Sequence, residues 1–214
     1  ALNVLDTETG DLLWRHDTFA PGASRLPVSQ VLVTDITGDA LPDIVCSAQQ
    51  NDESVHAFSF ATGFMSDSSL NEIWTYPNEF YSQKVSYIAG DIDLDGTPEV
   101  VFFEKEHLTT VDGITGLPDI DDPDVFLSYS FGLMQVVNVD ADAQPEVVAI
   151  GNSTYNYSVT VFDGLEGEVS WQYQWYPTDG KDLAFSENSV VDVDGDAERE
   201  IVVSGFDDAD DERT

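Results

Sequence analysis

Short apolar segments that alternate with Gly- and Asp-rich turns predict an all-β fold of antiparallel strands. Three observations support this prediction. One acidic loop pattern recurs four times, the segments around it recur with it, and the 3.6-residue apolar period of an amphipathic helix is not found. The loops begin at residues 35, 91, 138 and 192, so their spacings are 56, 47 and 54 residues. A period of this length fits one four-stranded propeller blade.

Each repeat contains four strand-like segments. One apolar segment precedes the acidic loop, a second follows it, and a third alternates apolar and polar residues, as in 56–60. A turn that ends in glycine comes next, for example DTETG at 6–10 and DGITG at 112–116, and the fourth segment carries an aromatic residue. The sequence therefore predicts a β-propeller of about four four-stranded antiparallel blades over residues 1–206, with an acidic tail or linker at 207–214.

The two ends of the repeat pattern are complementary. The first segment, near Leu2, has the features of a third strand, and the last segment, 201–205, has those of a second strand. Residues 2–16 therefore match the two strands that would complete the blade begun by residues 188–205. Two interpretations stay open: pairing of the termini closes the ring, or the chain forms part of a larger ring.

The four acidic loops offer the oxygen ligands that Ca²⁺ prefers. Side-chain oxygens recur at positions 1, 3, 5 and 9 of each loop, and a backbone carbonyl near position 7 is a further expected ligand. The predicted metal ligands are Asp91, Asp93, Asp95 and Glu99; Asp192, Asp194, Asp196 and Glu200; Asn138, Asp140, Asp142 and Glu146; and Asp35, Thr37, Asp39 and Asp43. Carboxylates this close repel one another, and a cation relieves the repulsion. The sequence thus predicts up to four structural Ca²⁺ ions, against the alternative of acidic turns without an ion.

The number of carboxylates in each loop predicts an order of affinity. The 91–99 loop is the strongest predicted site because it has four carboxylates and a glycine, Gly96, at the bend. The 192–200 loop also has four but carries alanine at that point, the 138–146 loop has an amide in place of one carboxylate, and the 35–43 loop has a hydroxyl instead. Affinity is expected to fall in that order.

Loops of the form D-x-D/N-x-D-G-x-x-D/E before an apolar strand, repeated about every 50 residues, resemble the FG-GAP/VCBS repeats of integrin-α-like β-propellers. The resemblance covers the four loops and so nearly the whole chain. It implies Ca²⁺ in the loops that join the first two strands of each blade, and an extracellular role in adhesion or ligand binding. The sequence departs from the family pattern in three ways. Position 6 is glycine in only one loop, Thr37 takes the place of a carboxylate ligand, and the chain has four repeats rather than the familiar seven.

The composition restricts the partners. Seven Lys and Arg against 42 Asp and Glu give a formal charge of −35, which argues against nucleic acid or an anionic membrane surface. No apolar run is long enough to insert in a membrane. The acidity indicates either a saline habitat, such as that of a marine or halophilic organism, or an acidic surface for a cationic partner.

Several residues outside the loops are secondary candidates. Trp175 and Tyr176 interrupt the repeat pattern and are candidates for stacking on a ligand, and Asn152 and Asn156 begin glycosylation sequons. The three scattered histidines are expected to be satisfied or surface residues rather than ligands, and no catalytic motif is present.

The sequence therefore favours a non-enzymatic Ca²⁺-binding module of the cell surface or exterior that binds a protein or glycan or assembles with itself. The alternatives are a subunit of a surface layer or filament, and a propeller-fold enzyme that degrades polysaccharide.

Overall fold

The computed structural model describes residues 2–17, 28–48, 54–67, 71–77, 86–104, 107–119, 130–140, 142–152, 157–164, 167–175, 184–196 and 198–206. All regular structure in these ranges is β-strand, so none of their segments is a helix that could cross a membrane. The strands are β1 (Leu2–Leu5), β2 (Leu12–His16), β3 (Val28–Thr34), β4 (Asp43–Ala48), β5 (Ser54–Phe58), β6 (Glu72–Pro77), β7 (Tyr87–Gly90), β8 (Glu99–Glu104), β9 (His107–Asp112), β10 (Ser130–Val137), β11 (Glu146–Asn152), β12 (Tyr157–Phe162), β13 (Val169–Trp175), β14 (Ala184–Val191) and β15 (Glu200–Phe206).

The strands form sheets in which neighbours in sequence are neighbours in space. Two sheets have four strands, in the orders β3-β4-β5-β6 and β10-β11-β12-β13, and β7-β8-β9 form a third sheet. The strand pairs are antiparallel, as in Val45↔Ala57 and Val148↔Val161. The all-β, antiparallel prediction is therefore confirmed, with two sheets of the predicted four-strand order. The fourth strand expected after β9, around Phe126, lies outside the described residues.

The first and last strand pairs form sheets of their own. β1 pairs with β2, and β14 pairs with β15, so the described strands include no sheet that joins the two ends of the chain. Both interpretations of the chain ends, closure of the ring and membership of a larger ring, therefore stay predictions.

The chain divides into two compact units, which are described separately. The first comprises residues 1–91, 95–105 and 109–121. Its larger apolar cluster lies between consecutive sheets and contains Ile36, Val45, Val55, Ala57, Trp74, Tyr87, Val100, Phe102 and Val111. A second cluster packs the β1–β2 hairpin against β4 and β5 through Leu2, Trp14, Ile44, Cys46 and Phe58. Because alternate strand residues face these clusters, the period-2 pattern of the sequence is explained.

The second unit comprises residues 92–94, 106–108 and 122–214. Its core cluster is formed by branched side chains from β11 and β12, namely Val148, Ile150, Val159 and Val161. Residues of β10, β14 and β15 pack on it while remaining partly exposed, including Leu133, Val190 and Ile201. Burial of these branched side chains favours the extended strands that carry them.

Candidate metal-binding loops

All four acidic loops occupy the same place in their sheets. They join β3 to β4, β7 to β8, β10 to β11 and β14 to β15, and position 9 of each loop is the first residue of the second strand. The last residue of the preceding strand pairs with it, as in Thr34↔Asp43 and Val137↔Glu146. Each hairpin therefore anchors its position-9 carboxylate on regular β-structure, while the preceding positions form the connecting loop.

In three of the loops the carboxylates converge. One oxygen from each of three side chains lies within 4.8 Å of the other two in the groups Asp91, Asp93 and Glu99; Asp140, Asp142 and Glu146; and Asp192, Asp194 and Glu200. Within the described residues these are the acidic groups that could hold a metal ion. Every group contains the position-9 glutamate and two aspartates of the loop, from positions 1 and 3 in two loops and from positions 3 and 5 in the third, so the predicted ligands Asp95 and Asp196 are not in these groups.

Three of the four position-9 carboxylates are buried. Asp43, Glu99 and Glu146 are 1%, 2% and 3% exposed. Glu146 Oε2 accepts a hydrogen bond from the Val139 N–H at 2.6 Å, and Glu200 Oε2 accepts one from the Val193 N–H at 2.8 Å. A carboxylate that is held by the backbone at position 2 of its own loop points into the loop rather than into solvent.

A hydrogen bond between positions 5 and 7 shapes every loop. The carboxylate at position 5 accepts from the backbone N–H two residues later, at 2.7 to 2.9 Å, in Asp39, Asp95, Asp142 and Asp196. This is the Asx-turn that aspartate forms readily. One oxygen of the position-5 aspartate therefore supports the turn.

The 35–43 loop satisfies its acids largely from within. Asp43 Oδ2 accepts hydrogen bonds from the N–H groups of Ile36 and Thr37 and from Thr37 Oγ1 at 3.1 to 3.2 Å. Asp35 accepts from the N–H groups of Gly38 and Ala40 at 2.7 Å. Burial acts to raise the pKa of Asp35, but these backbone donors outweigh it, so its pKa lies below the ordinary value. Because position 3 is the hydroxyl of Thr37 and not a carboxylate, it donates a hydrogen bond to Asp43 instead of repelling it. This agrees with the prediction that this loop has the lowest Ca²⁺ affinity of the four.

The amide at the start of the 138–146 loop also donates inward. Asn138 Nδ2 donates to the carbonyl oxygens of Asp142 at 2.7 Å and Gln144 at 3.3 Å. Gln144 is at position 7, whose carbonyl is an expected ligand. The backbone carbonyl of Asn138 accepts in turn from Arg199 Nη1 at 3.1 Å. An amide that occupies the position-7 carbonyl competes with a cation for it, so this loop should bind more weakly than its all-carboxylate relatives.

Negative charge is concentrated around Glu146. Burial raises the pKa of this carboxyl above the ordinary value, the hydrogen bond from Val139 opposes the change, and the charges of Asp140 and Asp142 add to it. The folded protein therefore disfavours ionised Glu146 by itself. A cation among the three carboxylates would reverse this preference.

Two further atoms fit a cation. Within the described residues, Asp91 Oδ1 and Asp43 Oδ1 are buried without a hydrogen-bond partner. A buried, unpaired carboxylate oxygen is costly unless a donor or cation compensates it. In the 91–99 loop this oxygen belongs to one of the three converging side chains. The donor set, all oxygen and mostly charged, suits a hard cation such as Ca²⁺.

The backbone of the loops has a feature that the sequence pattern did not reveal. Position 4 has a left-handed conformation in three loops, at Gly38 (φ 74°), Leu94 (φ 63°) and Gly195 (φ 84°). Position 6 does so at Ala40 and Gly96. The sequence prediction considered glycine only at position 6. The glycines at position 4 are the sequence signal for the left-handed residue there. Leu94 adopts a conformation that disfavours its side chain.

Two of the four secondary candidates lie at the ends of strands. Asn152 ends β11 and Trp175 ends β13, whereas Asn156 and Tyr176 lie outside the described residues.

His16 and His56 are buried, at 2% and 6% exposure, and His56 Nδ1 lies 2.6 Å from Glu72 Oε1. Burial acts to raise the pKa of Glu72, but hydrogen bonds from His56 and Thr75 and the nearby imidazoles outweigh it and lower the pKa. These two histidines thus have the structural role expected of them.

Comparison with known proteins gives similarity of fold only. No protein-family model and no curated protein sequence matches the chain. Solved structures with a similar fold include the exotype rhamnogalacturonan lyase YesX, at 16% identity and a TM-score of 0.50 over 84% of this chain. A rhamnogalacturonan lyase of Bacillus licheniformis matches at 16% identity and a TM-score of 0.50 over 82% of this chain. The chain spans 39% of the length of each lyase.

Proposed function

We propose that the chain is a Ca²⁺-binding β-propeller module in which each ion staples the first two strands of a blade. One observation carries this proposal: three equivalent loops each bring three carboxylate oxygens within 4.8 Å of one another. A chance acidic turn would not recur at the same point of successive hairpins. The resemblance to FG-GAP/VCBS repeats supports the same assignment.

The chemistry of the loops favours Ca²⁺ over Mg²⁺. Ca²⁺ accepts six to eight oxygens in irregular geometry, whereas Mg²⁺ requires a near-octahedral shell and keeps several water ligands. The loops supply carboxylates from both the turn and the following strand. Each bound ion would add its binding free energy to the stability of the folded state.

The proposed biological role is adhesion, ligand binding or surface assembly outside the cell. Extracellular Ca²⁺ is abundant enough to fill sites with dissociation constants of about 10⁻⁴ to 10⁻³ M. A formal charge of −35 also suits a saline exterior or a cationic partner.

A thermal melt with Ca²⁺ and with EGTA tests the proposal. Ca²⁺ is expected to raise the melting temperature, with Mg²⁺ at the same concentration giving a smaller rise. Asp93→Ala and Asp95→Ala should each reduce the Ca²⁺-dependent rise without a comparable loss in EGTA. A melting temperature that is the same in both solutions would contradict a structural role for Ca²⁺.

A second candidate function is part of a polysaccharide-degrading enzyme. The fold similarity to two rhamnogalacturonan lyases favours it, although the chain corresponds to 39% of their length. Chain-length analysis of rhamnogalacturonan incubated with the protein and Ca²⁺ tests this candidate. Polysaccharide chains that are shortened only when the protein is present would support it. Polysaccharide of unchanged length would favour the binding-module proposal.

A further inference from the structure

Gly113 lies between two successive acidic loops. It directly follows β9, and a Cβ built on it would lie 2.1 Å from the Ile36 carbonyl oxygen and 2.4 Å from the Pro98 carbonyl oxygen. Ile36 is position 2 of the 35–43 loop, and Pro98 is position 8 of the 91–99 loop. Gly113 is not among the glycines with positive φ, so its missing side chain permits this close approach rather than a left-handed bend.

Hydrogen bonds extend this contact into both loops. The Gly113 N–H donates to the Pro98 carbonyl oxygen at 3.1 Å, and Pro98 directly precedes the position-9 residue Glu99. On the other side, the Ile36 N–H donates to Oδ2 of Asp43 at 3.1 Å, and Asp43 is the position-9 residue of its own loop. A path of close contacts and hydrogen bonds therefore joins the position-9 carboxylates of the two loops.

The path is buried and closely packed. Ile36, Asp43 and Glu99 are 0%, 1% and 2% exposed. The Gly113 carbonyl oxygen also accepts a hydrogen bond from Trp74 Nε1 at 2.8 Å, which fixes the glycine from a third direction. All of these residues belong to the first unit. Because a close-packed interior has little free volume, a restraint at one end of such a path is felt at the other.

The same packing recurs within the second unit. A Cβ built on Gly164 would lie 2.1 Å from the Pro145 carbonyl oxygen and 2.3 Å from Ile92 Cγ2. Pro145 is position 8 of its loop, and Ile92 is position 2 of the loop before it. Gly164 also lacks a positive φ, and all three residues belong to the second unit. A glycine between position 2 of one loop and position 8 of the next is therefore a repeated feature of the fold.

The turn itself does not require glycine at this place. The turn at 6–10 has threonine as its second residue, and the turn at 59–63 has phenylalanine. In the turns at 6–10 and 112–116 the last N–H donates to the first carbonyl at 2.9 and 2.8 Å, so their hydrogen bonding is the same. The glycines at 113 and 164 are thus explained by their contact with the acidic loops.

We propose that Gly113 couples the 91–99 loop to the 35–43 loop, so that Ca²⁺ bound in the first loop orders the second. This inference rests on the proposed Ca²⁺ function and adds how one site regulates its neighbour. A cation on Glu99 restricts the adjoining backbone that holds Gly113, and Gly113 in turn restricts Ile36. Binding that orders one segment lowers the cost of ordering another segment that is coupled to it.

A Ca²⁺ titration followed by amide NMR spectra tests the coupling. The Gly96 N–H donates to a ligand of the 91–99 loop and reports that loop, whereas the Ile36 N–H reports the 35–43 loop. In the wild type, both peaks should move at the same Ca²⁺ concentration. In Asp93→Ala, the Ile36 peak should move only at a Ca²⁺ concentration at least about fivefold higher, the lower end of coupling between sites, or not at all.

Asp140→Ala is the matched control. It removes the position-3 ligand of the 138–146 loop, as Asp93→Ala does in the 91–99 loop. The Ile36 peak of this variant should move within about twofold of the wild-type Ca²⁺ concentration, as expected for independent sites.

Gly113→Ala tests the path itself. Its Cβ would strike two backbone carbonyl groups, so the two loops should separate: the Gly96 peak should still move with Ca²⁺, and the Ile36 peak should no longer follow it. If this variant does not fold, Trp74→Phe takes its place. It removes the hydrogen bond that fixes the Gly113 carbonyl, keeps an aromatic ring in the core, and should separate the two concentrations in the same direction.

The possible results distinguish this inference from the proposed function. Peaks of Gly96 and Ile36 that move at different Ca²⁺ concentrations in the wild type would overturn the coupling and leave Ca²⁺ binding intact. An Ile36 response that is the same in Asp93→Ala as in the wild type would do so as well. Joint movement that persists in the folded Gly113 or Trp74 variant would exclude this path. Absence of any Ca²⁺-dependent movement would overturn the coupling together with the proposed function.

Discussion

Replacement of Glu146 by glutamine should change stability in opposite directions with and without Ca²⁺. Glu146 is 3% exposed, and burial together with Asp140 and Asp142 raises its pKa. In EGTA, Glu146→Gln removes a disfavoured charge while the amide oxygen can still accept from Val139, so the variant should be as stable as the wild type or more stable. In Ca²⁺, the variant lacks a charged ligand and should be less stable.

The expected loss follows from the binding free energy. A site with Ca²⁺ at about 100 times its dissociation constant adds about 2.7 kcal/mol to the free energy of unfolding. If loss of one carboxylate weakens binding roughly 100-fold, about 0.4 kcal/mol remains, so the variant loses about 2.3 kcal/mol. For a chain of this length, that corresponds to a decrease of about 5 to 9 °C in melting temperature.

Urea unfolding in EGTA and in Ca²⁺ measures both effects. Glu168→Gln, which changes an exposed acid of the same unit, is the matched control and should alter neither curve by more than about 0.5 kcal/mol. Equal destabilisation of Glu146→Gln in the two solutions would refute the reasoning. It would mean that the carboxylate serves only as a hydrogen-bond acceptor for the loop backbone.

Three other predictions concern the backbone and a carboxylate beside a buried histidine. Leu94→Gly should raise the unfolding free energy by about 0.5 to 1 kcal/mol because Leu94 has φ 63°. Leu41→Gly, at a residue without positive φ, should lower it. The urea midpoints of the two variants test this difference. Gly116→Ala should lower the free energy of unfolding by about 1 to 3 kcal/mol more than Gly63→Ala does. Both glycines have positive φ, but only alanine at 116 places a Cβ against the indole of Trp74. Similar losses of stability in thermal melts would contradict this. Glu72, whose pKa is lowered, stabilises the fold above its unfolded-state value near 4.5 and loses this contribution as pH falls through its folded-state pKa. Glu72→Gln should therefore be less stable than the wild type at pH 7 and approach it on acidification, and a constant difference between pH 7 and pH 3 would argue against it.

The sequence predicts part of each converging group because the loop chemistry is local. Positions 1 to 9 lie within one hairpin, so the spacing brings the carboxylates at positions 3 and 9 together in three loops, whereas Asp95 and Asp196 lie outside these groups. The position-9 residue follows from the strand that it begins, as at Glu99 and Glu146. The left-handed Leu94 was not predictable in the same way, because nothing in a leucine indicates positive φ. Only comparison with Gly38 and Gly195 at the same position would have suggested it.

Long-range features were less accessible. Trp14, Trp74 and Trp171 occupy equivalent strand positions, but only the structure separates the two buried indoles from the exposed one. The contacts that bury Trp14 and Trp74 include hydrogen bonds to Asn71 and Gly113, which are distant in sequence, and so they are a tertiary property. The two interpretations of the chain ends, closure of the ring or membership of a larger ring, stay predictions, because matching hairpins specify a register but not which strands meet.

Direct titration of Ca²⁺ into protein that has been freed of metal tests the central claim most directly. Isothermal calorimetry should show at least three ions per chain, one for each converging carboxylate group, and a weaker fourth for the 35–43 loop. Asp93→Ala should remove one ion from the total. No saturable binding at millimolar Ca²⁺ would contradict the proposal that these loops are calcium sites.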